Sequence, residues 1–95
     1  MPTVNVPADA TNHSIDSLLR TADPTAYILS FGNVRLLSDG DGLKVGGQDM
    51  TSSDYDYLLN AEQSQEEGSI MLSNRYVRND SGSAITLHIW NRPGD

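Results

Sequence analysis

From Ala84 to Trp90 the chain alternates without a fault, with Ile85, Leu87 and Ile89 on one side and Thr86, His88 and Trp90 on the other. A period of two sends successive side chains to opposite faces of a strand, so three large aliphatics share one face. A slip of one residue would expose all three, which pins the register. The segment therefore belongs in a sheet with one buried face. Shorter versions recur upstream. Val4 and Val6 alternate with polar neighbours and read as a strand that Pro7 ends or marks as an edge, so residues 1–12 are an extended N-terminal arm or an edge strand. Residues 26–31 place Tyr27, Leu29 and Phe31 on one face, and residues 34–37 extend again after a turn or bulge at Gly32 and Asn33.

Between these strands lie capping and turn signals. Asn12 or Ser14 can cap a short helix over residues 15–20, with Asp16 in its first turn and an apolar stripe of Ile15, Leu18 and Leu19. Residues 21–24 read as a turn. Ser38, Asp39, Gly40, Asp41 and Gly42 form the clearest hairpin cue, because Gly tolerates positive φ, with a return strand over 43–45 that Gly46 and Gly47 stop. Ser52 or Ser53 would cap a second helix of one or two turns, with Asp54 and Asp56 at its start, followed by a loop through the acidic residues 64–68. Residues 70–78 read as a strand, 79–82 as a turn and 84–90 as the return, a hairpin expected to be the centre of stability. The sum is a mostly β chain of five or six short strands with one or two short helices. A single domain over 1–95, built as a small antiparallel β-sandwich or partly open barrel, is the expected architecture.

Ninety-five residues at 37% hydrophobic make a modest core, so partner chains are expected to add stability. With no cysteine there is neither a disulfide nor a thiolate. The opening MPTVNVPADATNHS lacks the charge and apolar run of a secretory leader, no stretch approaches the ~20 apolar residues of a membrane span, and the sequons at Asn12 and Asn79 read as chance. No membrane partner is expected. A net charge of −7 is repelled by phosphate backbones, so no nucleic-acid partner is expected either. The charge is unevenly spread. Residues 39–67 hold Asp39, Asp41, Asp49, Asp54, Asp56, Glu62, Glu66 and Glu67 against Lys44, whereas residues 68–92 hold Arg75, Arg78 and Arg92 against Asp80. These are either two solvated faces or the two halves of a contact between subunits.

Catalytic and metal patterns do not emerge. His13 and His88 have no partner at ligand spacing, and no G-x-S-x-G elbow exists. Gly40, Gly42, Gly46 and Gly47 do not match a phosphate-binding loop. Counted from Asp39 as a calcium loop, position twelve is Met50 and not a glutamate. The acids Asp54 and Asp56 lie in a polar stretch, without the apolar pocket that raises a carboxyl pKa. The expectation is no enzyme, no cofactor and no metal. Trp90 and His88 share the outer face of the last strand, and Tyr55 and Tyr57 stand in the acidic segment. With Arg75 and Arg78 they are the candidate interface residues, because tryptophan, tyrosine and arginine dominate interface energetics.

Three stretches, VNVPADATNHSIDSLL, LKVGGQDMTSSDYDYLL and IMLSNRYVRNDSGSAITLHIW, stand in an order that resembles small β-sandwich structural proteins of tailed-bacteriophage virions, of the capsid decoration (cement) or head-fibre-base type. The resemblance implies a homotrimer without a catalytic site. Its partners would be copies of itself and the major capsid protein or a neighbouring virion protein, and its location the virion, assembled in the host cytoplasm. Two other functions fit the residues: a glycan- or host-surface-binding module that uses Trp90 and the tyrosines, and an acidic inhibitor that mimics nucleic acid.

Overall fold

The protein was analysed as a computed structural model that describes residues 3–22, 31–71 and 73–91. Its elements are β1 (Thr3–Val6), β2 (Asn12–Ser14), α1 (Ile15–Ala22), β3 (Phe31–Ser38), β4 (Leu43–Gly46), β5 (Tyr57–Leu59), β6 (Ser64–Met71), β7 (Tyr76–Asn79) and β8 (Ile85–Asn91). All pairings are antiparallel, in two four-stranded sheets ordered β1-β8-β3-β6 and β2-β7-β4-β5. The alternation in β8 sets the arrangement. Ile85, Leu87 and Ile89 are buried, and β8 lies inside the first sheet, between β1 and β3. Facing them from the second sheet are Leu43, Val45, Leu59 and Val77, which join Val4, Val6, Val34 and Leu36 in one core. This is the mostly β sandwich that the periodicity predicts. Among the described residues no helix is long and apolar enough to cross a membrane.

A sandwich has two open sides, and here different chemistry closes each. On one side α1 packs against the edge strands β1 and β2 and inserts Ile15, Leu18 and Leu19 into the core. Ser14 caps it, since its Oγ accepts the Ser17 N–H at 3.1 Å. The helix runs through Thr21 and Ala22, two residues beyond the expected stop, and Thr21 Oγ donates to the Ser17 carbonyl at 2.9 Å. On the other side lie the edges β5 and β6. There the Tyr57 hydroxyl donates to Glu67 at 2.7 Å, and Arg75 Nε reaches the same carboxylate at 2.7 Å.

Several expectations are corrected. The turn at 38–42 is present, with Gly42 at φ 85°, but it does not close a hairpin: β3 and β4 belong to different sheets. Buried Ser38 manages the crossing, its Oγ donating to the Gly40 carbonyl at 2.7 Å and accepting the Gly40 N–H at 3.2 Å. The segment 70–78 is broken by a turn at 73–74, and β7 and β8 also lie in different sheets, so 70–90 is a second crossing and not a hairpin. No helix follows Ser52 and Ser53. Thr51 Oγ accepts the N–H groups of Ser53 and Asp54, as a cap would, but the chain turns and enters β5. Residues 64–68, expected as a loop, begin β6. The bulge at Gly32 and Asn33 is real, seen as a register shift between Gly32 and Val34 against β6. The expected strand over 26–31 lies outside the described residues except for Phe31, which opens β3, and the expected turn at 21–24 is helical as far as Ala22.

Candidate functional site

The buried triplet Ile85, Leu87 and Ile89 forces Thr86, His88 and Trp90 onto the outer face of the first sheet. The register across the sheet then builds two rows. Thr3, His88, Leu37 and Ser64 lie side by side, and next to them Trp90, Arg35 and Glu66. The second row is chemically specific. The Arg35 guanidinium lies 5.9 Å from the centre of the half-buried Trp90 ring, within cation–π range. Its Nε and one terminal nitrogen donate to Ser64 Oγ at 3.3 and 3.1 Å. His88 tilts against Trp90, with ring centres 6.3 Å apart, and its Nε2 meets Asp39 Oδ2 at 2.8 Å. Its Nδ1 is buried with no hydrogen-bond partner. Leu37, half-buried, adds an aliphatic side chain to this outward face.

The other sequence-nominated residues lie elsewhere, and most are committed within the chain. Arg75 is clamped between Glu67 at 2.7 Å and Asp56 at 2.6 Å and lies 5.6 Å from the Tyr57 ring centre. Burial opposes its charge, but the hydrogen bonds to Glu67 and Asp56 outweigh this and hold its pKa above the ordinary arginine value. Burial, reinforced by the bond to Glu67, pushes the Tyr57 hydroxyl far above the usual tyrosine range. This cluster joins the two sheets at their open side. Arg78 and Lys44 sit on the outer face of the second sheet and share Asp80, at 2.9 and 2.8 Å. Those two hydrogen bonds, Lys44's first, hold the Asp80 carboxyl below its ordinary pKa. Tyr55 lies over the same face, its ring centre 5.5 Å from Lys44 Nζ, and at 37% it is the most exposed large apolar side chain among the described residues.

Sequence reasoning thus found Trp90 and His88 but missed Arg35, Leu37 and Asp39. The alternation marks an outer face; only the register of β3 against β8 reveals what stands beside it. Among the described residues, shallow clefts flank the sandwich. One, of about 250 Å³, lies within the loop 47–56 and is lined by Asp49, Met50, Asp54, Tyr55 and Asp56. Another, of about 280 Å³, lies between β1 and α1 beside His13, whose Nε2 meets Asp9 at 2.9 Å and Thr11 at 3.1 Å. Among the described residues no group of three or more His, Asp or Glu side chains is arranged to hold a metal ion. No protein-family model, curated protein or solved structure matches the chain.

Proposed function

We propose that this chain is a non-catalytic virion structural protein of the capsid-decoration kind, working as a homotrimer that docks against neighbouring protein chains in a particle assembled in the host cytoplasm. The observation that carries the reading is Trp90, held outward beside Arg35 and His88 on an inner strand of the first sheet. Large aromatics and arginine supply most of the energy of typical protein interfaces, and a preorganised pair loses little entropy on docking. The net charge of −7 favours a protein partner over a nucleic acid. The sequence resemblance points the same way. Mass spectrometry of particles purified from a culture that makes the protein tests the proposal. Stoichiometric copies in the particle, reduced by Trp90→Ala with the far-ultraviolet dichroism unchanged, support it. Absence from the particle overturns it.

A further inference from the structure

The turn between β3 and β4 holds two Asp-Gly steps in succession, Asp39-Gly40 and Asp41-Gly42. An Asp-Gly step is prone to internal cyclisation, because glycine has no side chain to keep its nitrogen away from the preceding carboxyl group. The fold treats the two steps differently. At the first, the reacting groups are drawn apart. The Gly40 N–H donates at 3.2 Å to the hydroxyl of Ser38, which is buried, while the Asp39 carboxylate lies on the outer face against His88 Nε2 at 2.8 Å. The Asp39 N–H is held by the Thr86 carbonyl at 3.0 Å, and a Cβ on Gly40 would stand 2.7 Å from Ile85. Bringing the Gly40 nitrogen onto the Asp39 carboxyl group would break these contacts.

At the second step the reacting groups are held together. The Asp41 carboxylate accepts the Ala61 N–H at 2.9 Å, and the Gly42 N–H donates to Asn60 Oδ1 at 3.2 Å, so adjacent residues of one segment hold both. Gly42 has φ 85°, and a Cβ there would meet nothing within 4 Å, which leaves room for a ring to close. We infer that Asp41 is a site of self-modification, where the backbone nitrogen of Gly42 closes on the Asp41 side chain to give a succinimide and then isoaspartate. The nitrogen attacks Cγ and forms a C–N bond. The proton of that nitrogen and the hydroxyl of the protonated carboxyl group leave as water. The Ala61 N–H lies on a carboxyl oxygen that takes up charge in the tetrahedral adduct, where a fixed donor lowers the barrier. A second water opens the imide. Attack at Cγ restores aspartate, whereas attack at the main-chain carbonyl leaves the chain running through the side-chain methylene, with the mass unchanged. The isoaspartate thus adds one carbon to the main chain where it crosses from the first sheet to the second.

Prolonged incubation of the full chain at neutral pH, then proteolysis and electron-transfer mass spectrometry, reads isoaspartate at each position. In the folded protein it should accumulate at Asp41 roughly tenfold or more faster than at Asp39, since the contacts given up at Asp39 are worth at least one or two hydrogen bonds. In urea both steps are Asp-Gly in an open chain and should react at similar rates, which assigns the selection to the fold. Asp41→Asn and Asp39→Asn give a second reading. Asparagine closes the same ring with loss of ammonia, and hydrolysis then adds a negative charge that isoelectric focusing resolves. Folded Asp41→Asn protein should gain that charge, and folded Asp39→Asn protein should gain it roughly tenfold or more slowly. Equal conversion at the two positions in the folded protein, faster conversion at Asp39, or a folded chain inert at both while the unfolded chain reacts would each overturn the inference.

Discussion

The side-chain amide of Asn79 donates to the backbone carbonyl of Val6 at 3.0 Å, joining a strand of the second sheet to a strand of the first inside the core. The same amide donates to the Ser83 carbonyl at 2.8 Å, while Oδ1 accepts from the Ser81 N–H and hydroxyl at 2.9 and 2.6 Å. Every hydrogen-bonding position of this buried side chain is filled. Asn79→Ala should destabilise the fold by about 3 kcal/mol, because it leaves buried partners unsatisfied. Asn79→Asp should be worse, since a carboxylate would face two carbonyl oxygens. Urea unfolding measures both, and a loss below about 1 kcal/mol for the alanine variant would show that water replaces the amide.

The two faces of β8 should respond differently to truncation. Leu87→Ala removes a fully buried side chain and should lose roughly 2–5 kcal/mol. Thr86→Ala, on the exposed face, should change stability by about 0.5 kcal/mol or less. Equal effects would contradict the orientation of the strand.

Gly40 makes room for the core. A Cβ there would lie 2.7 Å from Ile85 Cγ1, in the first core position of β8. Gly40→Ala should therefore destabilise by about 1–3 kcal/mol through displacement of Ile85. Gly47→Ala, where nothing lies within 4 Å, serves as the control.

Alkaline pH should open the Tyr57 side of the sandwich. Burial and the Glu67 hydrogen bond raise the Tyr57 pKa in the fold, so this contribution to stability is complete below the unfolded tyrosine value of about 10. Above that pH the unfolded chain releases the proton first, and stability falls until the folded pKa is passed. Tyr57→Phe should remove one proton from the slope of urea midpoint against pH in this range. An unchanged slope would show that the hydroxyl is solvated.

Acid should act on the outer face of the second sheet. Asp80 is held below its ordinary pKa by Lys44 and Arg78, so its contribution is present above the usual aspartate range and is lost as pH falls through the folded value. Asp80→Asn should lower stability at neutral pH and flatten the acid limb of thermal unfolding. A parallel acid limb in the two proteins would assign the acid sensitivity to other carboxylates.

What could be read from the sequence divides along the range of the interactions involved. The faces of β8, the cap at Ser14 and the stripe Ile15, Leu18, Leu19 follow from neighbours within a few residues, and all three hold. The two presumed hairpins failed because Asp-Gly and Asn-Asp-Ser-Gly chemistry sets a reversal of direction but not which sheet receives the returning strand. At 51–59 a cap-like bond at Thr51 competed with a period of two, and the inward pair Tyr57 and Leu59 prevailed because the core pays for it. Strand β6 was hidden by its position: an edge strand needs few apolar residues, and its inward Glu67 is tolerated because Arg75 and Tyr57 satisfy it. Trp90 was legible in the alternation, whereas Arg35 became visible only through a pairing between residues 55 positions apart.

The pairing of β1 with β8 has a consequence for synthesis. Of the strands of this sandwich β1 leaves the ribosome first and β8 last, yet Val4 lies opposite Leu87 and Val6 opposite Ile85. Until residues 85–91 emerge, β1 has no neighbour in its sheet and β3 has only β6. The nascent chain therefore carries Val4, Val6, Val34 and Leu36 without their final cover until β8 has emerged. Assembly of the first sheet therefore waits for β8, and in the cell a holdase chaperone that shields those aliphatics has its opportunity before β8 inserts.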